Sequence, residues 1–128
     1  MGQSILARAL LRQGRASEAQ QVMEAIGERG PESSNPAVRL AVRTTASIIQ
    51  VALGDKRTAA NTLRSVIVES QRSGLPGLAF EARLALGEVE IASGLVSAGR
   101  TRLAALEKEA GAKGYTWIAQ RAREAAQK

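Results

Sequence analysis

Glutamate spacing is the feature of this sequence that comes nearest to acid–base chemistry. Glu88 and Glu90 are two residues apart, as are Glu107 and Glu109, so on a helix the members of each pair point to different faces. Glu81 and Glu88 do share a face, but they lie about 10 Å apart along the helix axis. We therefore interpret Glu81 and Glu88 as a solvated or ligand-facing stripe and expect no enzymatic role.

Composition removes other kinds of site. The chain has no histidine and no cysteine, which excludes Ser–His and Cys–His nucleophiles and thiolate metal sites. The single aspartate, Asp55, cannot build a calcium loop, and no glycine-rich segment carries the lysine that ends a phosphate-binding loop. We expect no cofactor and no metal.

Charge and hydropathy bear on the partners. The chain has 18 Lys and Arg residues against 12 acidic residues, and its net charge of +6 raises the possibility of nucleic-acid binding. The longest basic run is Lys56-Arg57, and only Phe80, Tyr115 and Trp117 could stack on bases. This pattern favours a mixed solvated surface, and RNA binding remains the weakest alternative. No apolar run suits a bilayer and no secretory signal is recognisable, so we expect no membrane partner and a cytoplasmic location.

An internal repeat must position these side chains. Gly14, Gly54 and Gly94 are 40 apart, and so are Pro36 and Pro76. Around the glycines the segments "LLRQGRASEAQQVM", "QVALGDKRTAANTL" and "EIASGLVSAGRTRL" align without a gap. Shared stops, starts and apolar positions in one register indicate a repeat architecture.

Each repeat reads as a helical hairpin. Helix A, of about 17 residues at 37–53 and 77–93, runs to a glycine that can take the left-handed conformation closing a helix. Helix B follows a short turn and begins near Lys56 in the second unit and Val96 in the third. Gly87, inside the third helix A, predicts a close approach of the neighbouring helix.

The pattern resembles the tetratricopeptide repeat. Leu86-Gly87, Gly94 and Leu103 match its motif, with Gly99 in place of the usual alanine, and the likeness covers nearly the whole chain. The period of 40 is longer than the family's usual length of about 34 residues. The typical tyrosine is also missing at the equivalent positions, which hold Leu10, Gln50 and Glu90. The chain is similar to the C-terminal repeat tracts of large bacterial signalling proteins.

The resemblance implies an all-α fold, an α-α superhelix or solenoid of about three antiparallel hairpins plus a capping helix. We expect one domain, with repeats at about 1–35, 36–75 and 76–114 and a capping helix at about 115–127. Trp117 and Ile118 are expected to pack back on the third repeat. Because the first helix A is short, we expect the chain to be the C-terminal piece of a longer protein.

The resemblance also implies a function, a non-enzymatic scaffold that binds a protein or peptide on a concave face lined by the A helices. The family's contact positions carry over to Arg8, Arg12, Thr44, Ile48, Glu81 and Glu88. Arg8 and Arg12 are four apart and could hold a carboxylate by paired donors. Matching positions at Leu11, Val51 and Ile91 suit core packing equally well.

One alternative is structural. The array could be an intramolecular sensor or spacer, or a self-association module, of a multidomain bacterial regulator or kinase. In that case a homodimer through the truncated N-terminal edge is the expected partner. The residues do not distinguish the identity of any peptide ligand.

Overall fold

The structure, a computed structural model, describes residues 35–127 and is entirely helical over that range apart from its short turns. The helices are α1 (Pro36–Ala52), α2 (Lys56–Arg72), α3 (Pro76–Ala92), α4 (Val96–Ala112) and α5 (Thr116–Ala126). The expected all-α class is confirmed for these residues. None of the five helices is both long and apolar enough to cross a bilayer.

The connections between the helices repeat one backbone geometry. Gly54, Gly74, Gly94 and Gly114 have φ values of 96°, 68°, 90° and 86°. In each turn the amide after the glycine donates to the carbonyl five residues before it, at 2.8–2.9 Å. This is the Schellman arrangement that closes a helix on a left-handed residue. The predicted role of the turn glycine is therefore confirmed at Gly54 and Gly94, and the same turn also joins one hairpin to the next.

The helix starts follow from short-range signals. Pro36 and Pro76 occupy the first positions of α1 and α3, where a missing N–H has no intrahelical partner to lose. The Asn35 side chain accepts a hydrogen bond from the Ala37 amide at 2.9 Å and caps α1. The starts of α2 and α4 agree with the sequence prediction. Two helices therefore begin, evenly spaced, within each period of the sequence.

The helices form two layers. Each helix contacts the next along the chain, and the odd-numbered helices also contact one another, α1 with α3 and α3 with α5. The even-numbered helices α2 and α4 do not contact each other. The A helices α1, α3 and α5 therefore lie side by side in one layer, with the B helices behind them.

Two apolar clusters fill the spaces between the layers, and α3 contributes to both. The cluster shared by α1, α2 and α3 contains Leu40, Leu63, Val66, Leu86 and Val89. The cluster shared by α3, α4 and α5 contains Phe80, Leu84, Leu103, Leu106 and Ile118. Because α3 has neighbours on several sides, its buried residues are not confined to one narrow stripe.

Side-chain contacts also follow the repeat. Arg43 Nη1 lies 3.1 Å from Glu69 Oε1 and joins α1 to α2. Arg83 pairs with Glu109 between α3 and α4. The two arginines are one sequence period apart, and so are the two glutamates. Such partly exposed pairs contribute about 0.5 kcal/mol each, so their main value is to mark the register of the repeat.

Glycines bring α3 and α4 close together. A Cβ added to Gly87 would lie 2.6 Å from Leu103 Cγ, and one added to Gly99 would lie 2.8 Å from the Gly87 carbonyl oxygen. Real Cβ atoms do not approach other heavy atoms so closely. The prediction of a close helix approach at Gly87 is confirmed, and Gly99 provides the other half of the contact.

Candidate binding groove

The A-helix layer carries a groove with a volume of about 350 Å³. Its lining residues come from α1, α3 and α5. Because α3 contacts both α1 and α5, it forms the floor, while α1 and α5 form the walls. The sequence predicts ligand contacts on two of these helices, α1 and α3, and treats α5 as a capping helix.

The α1 wall contains the predicted contacts Thr44 and Ile48, together with Val51. Thr44 is only 1% exposed, and its hydroxyl donates to the Leu40 carbonyl at 2.8 Å. It therefore offers a ligand little surface and no free donor. Ile48 and Val51 are partly buried and present the apolar surface of this wall.

The α3 floor contains the other two predicted contacts in the described residues. Glu81 is partly buried and Glu88 is exposed, and both line the groove. The expectation that they share a face is confirmed, whereas a ligand role for them remains a prediction. Leu84 and Ala85 lie between them on the same side of the helix and are 6% and 7% exposed. The floor is thus apolar at its centre and carries a carboxylate toward each end.

The α5 wall contains Trp117 and Arg121. Trp117 is the only tryptophan of the chain and is 50% exposed. Trp117 lines the groove together with Leu84 and Ala85 of the third repeat, so its packing on that repeat covers only part of the side chain. Ile118 is 1% exposed and joins the core, whereas Trp117, about 100° away around the helix, lies at the edge of the buried face.

Repeat register explains how the groove forms. Thr44 and Leu84 are one sequence period apart, and so are Ile48 and Glu88. Arg121 follows Glu81 by the same interval. Equivalent positions on adjacent parallel helices lie side by side, so one face repeated along the array becomes one continuous surface. The sequence prediction omitted Arg121, although the same register identifies it.

The groove combines apolar surface with few charges. Its charged lining residues are Glu81, Glu88 and Arg121, so its acids outnumber its bases although the chain carries a net charge of +6. Within residues 35–127 no three potential metal-ligating side chains converge. The arrangement suits binding of a ligand with apolar and charged groups.

The remaining predicted contacts lie outside the described residues. These are Arg8 and Arg12, with Leu11 beside them. The proposed carboxylate clamp and the homodimer through the N-terminal edge therefore remain predictions.

Comparison of the chain with protein-family models, curated proteins and solved structures gives no significant match. A set of helices is common to many families and does not by itself identify the tetratricopeptide repeat. The resemblance to that family therefore rests on the repeated residues of the sequence.

Proposed function

We propose that this chain is a non-enzymatic, tetratricopeptide-like repeat scaffold that binds a peptide or protein segment in the groove lined by α1, α3 and α5. The observation that carries the proposal is the half-exposed Trp117 standing over an apolar floor in that groove. Tryptophan is enriched among the residues that dominate binding energy at protein interfaces. A folded chain that keeps its one tryptophan half-exposed has a surface suited to such a contact.

Helix contacts support a curved array. The A helices touch one another while α2 and α4 do not, so the A layer is the more closely spaced of the two. An array in which one layer is more closely spaced curves toward that layer. Stacked hairpins of this kind form an extended concave binding surface on the inner helices.

Preorganisation favours binding in this groove. Every turn in residues 35–127 has the same hydrogen-bonded geometry, which orders the helices that line the groove before any ligand binds. A wall that is already ordered loses less conformational entropy when a ligand binds.

The likeness to bacterial signalling proteins supports a cytoplasmic regulatory setting for this scaffold.

A random-peptide display library tests the proposal and does not require the natural ligand. Peptides are selected on the wild-type chain and then measured on Ala92→Arg, which places a bulky side chain in the groove at the C-terminal end of α3. A cation is tolerated there because it lies at the negative end of the helix dipole. Ala104→Arg, at an exposed position of α4 outside the groove, is the matched control.

We expect the selected peptides to bind the wild-type chain and Ala104→Arg equally, and to bind Ala92→Arg at least about tenfold more weakly, a difference of about 1.4 kcal/mol. Peptides that bind all three chains equally would contradict the proposal. So would a library from which the wild-type chain enriches nothing.

A further inference from the structure

The floor of the groove has an alternating chemical pattern along α3. Glu81, Leu84, Ala85 and Glu88 follow one another at helix spacings of three, one and three residues, which places them in one stripe. All four line the groove. The apolar centre is therefore bracketed by two carboxylates.

From this pattern we infer the chemistry of the occupant, an inference that rests on the proposed function. The groove selects an extended peptide in which two basic residues, three positions apart, flank at least one apolar residue. The basic residues face Glu81 and Glu88 on the floor, and the apolar residue between them points toward one of the two walls. Charge complementarity of this kind steers association and fixes the register of a bound segment.

The spacing follows from helix and peptide geometry. Glu88 stands seven positions after Glu81 on α3, which corresponds to about 10 Å along the axis. A polyproline II segment rises about 3.1 Å per residue with three residues per turn. Residues three apart in such a segment therefore lie on one side, about 9 Å from each other, and match the two carboxylates.

The walls then receive the two residues between the basic pair. In a three-residue turn these residues point away from the floor to either side, one toward α1 and one toward α5. Both walls carry apolar groove residues, Ile48 and Val51 on α1 and Trp117 one helical turn before Arg121 on α5. An apolar residue at either position has a matching wall.

Arg121 disfavours basic peptide residues on the α5 side of the groove. It occupies on α5 the repeat position that Glu81 occupies on α3, and it also lines the groove. A basic side chain directed toward α5 at that level would meet this guanidinium. The positive groups of the peptide are therefore expected to follow α3.

The library selection described above gives the first test, through the composition of the enriched peptides. We expect two lysines or arginines three positions apart with an aliphatic or aromatic residue between them. The strongest such peptide is synthesised with blocked ends, together with a twin that has glutamate in place of each basic residue. Both are titrated into the chain while the emission of Trp117, its only tryptophan, is recorded.

The basic peptide is expected to change the Trp117 emission saturably, and the acidic twin is expected to bind at least about tenfold more weakly. Glu88→Gln keeps the shape of the side chain and is expected to weaken the basic peptide by a similar factor and to reduce its salt dependence. Glu109→Gln, on α4 outside the groove, is the control and leaves the affinity unchanged.

The outcomes separate this inference from the proposed function. Enriched peptides that are acidic or uncharged, yet lose binding on Ala92→Arg, would overturn the basic–apolar occupant and leave the peptide-binding scaffold standing. Enrichment of nothing would overturn both. A dimer in sedimentation that Ala92→Arg dissociates would assign the groove to a second copy of the chain and overturn the peptide occupant.

Discussion

Arg102 on α4 donates a hydrogen bond from Nε to the Glu90 carboxylate on α3, at a distance of 2.6 Å. Glu90 is buried, with only 6% of its surface exposed. A second contact, from Nη2, lies at 3.4 Å. An ion pair between a buried carboxylate and a partly exposed guanidinium thus joins the two helices of this hairpin.

Removing one partner of this pair should be costly. Arg102→Leu leaves the Glu90 carboxylate buried without its guanidinium, and we expect a loss of about 2 kcal/mol in the free energy of unfolding. This lies below the range for a fully buried pair because the Arg102 side chain is 33% exposed. Urea denaturation measures the change. The double variant Glu90→Leu with Arg102→Leu should recover most of the loss, and a double variant less stable than Arg102→Leu would contradict this account.

Gly99, at the contact between α3 and α4, should not tolerate replacement by alanine. In Gly99→Ala the new methyl meets the Gly87 carbonyl oxygen at 2.8 Å, and backbone cannot move aside as a side-chain end can. We expect a loss of about 3 kcal/mol in unfolding free energy. Gly111→Ala, also in α4, meets nothing closer than Ala119 Cβ at 3.8 Å and should gain about 0.5 kcal/mol from helix propensity. Equal stabilities of the two variants in thermal denaturation would contradict the close approach.

Gln50 occupies in the second repeat the position of Glu90, and Thr62 replaces the arginine that would pair with it. Its Oε1 is buried and has no hydrogen-bond partner in the structure. Gln50→Leu, which installs the residue of the equivalent position Leu10, should raise the unfolding free energy by up to about 1 kcal/mol. The exposed Gln71 on α2 provides the control, because Gln71→Leu removes no buried side-chain oxygen that lacks a hydrogen bond. A marked destabilisation by Gln50→Leu in urea denaturation would mean that the amide is satisfied in solution.

Two neighbouring residues of α5 should respond in opposite ways. Trp117 lines the groove and is 50% exposed, so Trp117→Ala should abolish binding of a selected peptide and should cost less unfolding free energy than Ile118→Ala. Ile118 is 1% exposed in the core, so Ile118→Ala should cost about 3 kcal/mol of unfolding free energy. Calorimetric titration and denaturation measure the two effects. Normal peptide affinity in Trp117→Ala would exclude this residue from the site.

The helices and their ends could be predicted because local residues determine them. Pro36 and Pro76 start A helices, and Gly54 and Gly94 close them with left-handed backbone, all within a few residues of the feature they control. The core face of α2 follows from helical periodicity, because Ala59, Leu63 and Val66 recur at spacings of four and three residues and are buried. The contact positions carried over from the family resemblance include Ile48, Glu81 and Glu88, which line the groove, and their ligand role stays a prediction.

The sequence revealed the close approach of α3 and α4 at Gly87, but it did not reveal the side-chain ion pairs between helices. Arg102 lies 12 residues after Glu90, and Glu109 lies 26 residues after Arg83, so no helical spacing connects either pair. The outward position of Trp117 depends on how α5 is rotated against α3, which a single short helix with apolar residues on several sides does not specify.

Access of a quencher to Trp117 tests the central claim most directly. Acrylamide quenching of the single tryptophan is measured on the wild-type chain, first alone and then saturated with the strongest selected peptide. If the peptide lies in the groove, it covers the half-exposed indole, and the quenching constant should fall several-fold. A quenching constant unchanged by a saturating peptide would place the binding site elsewhere and contradict the account.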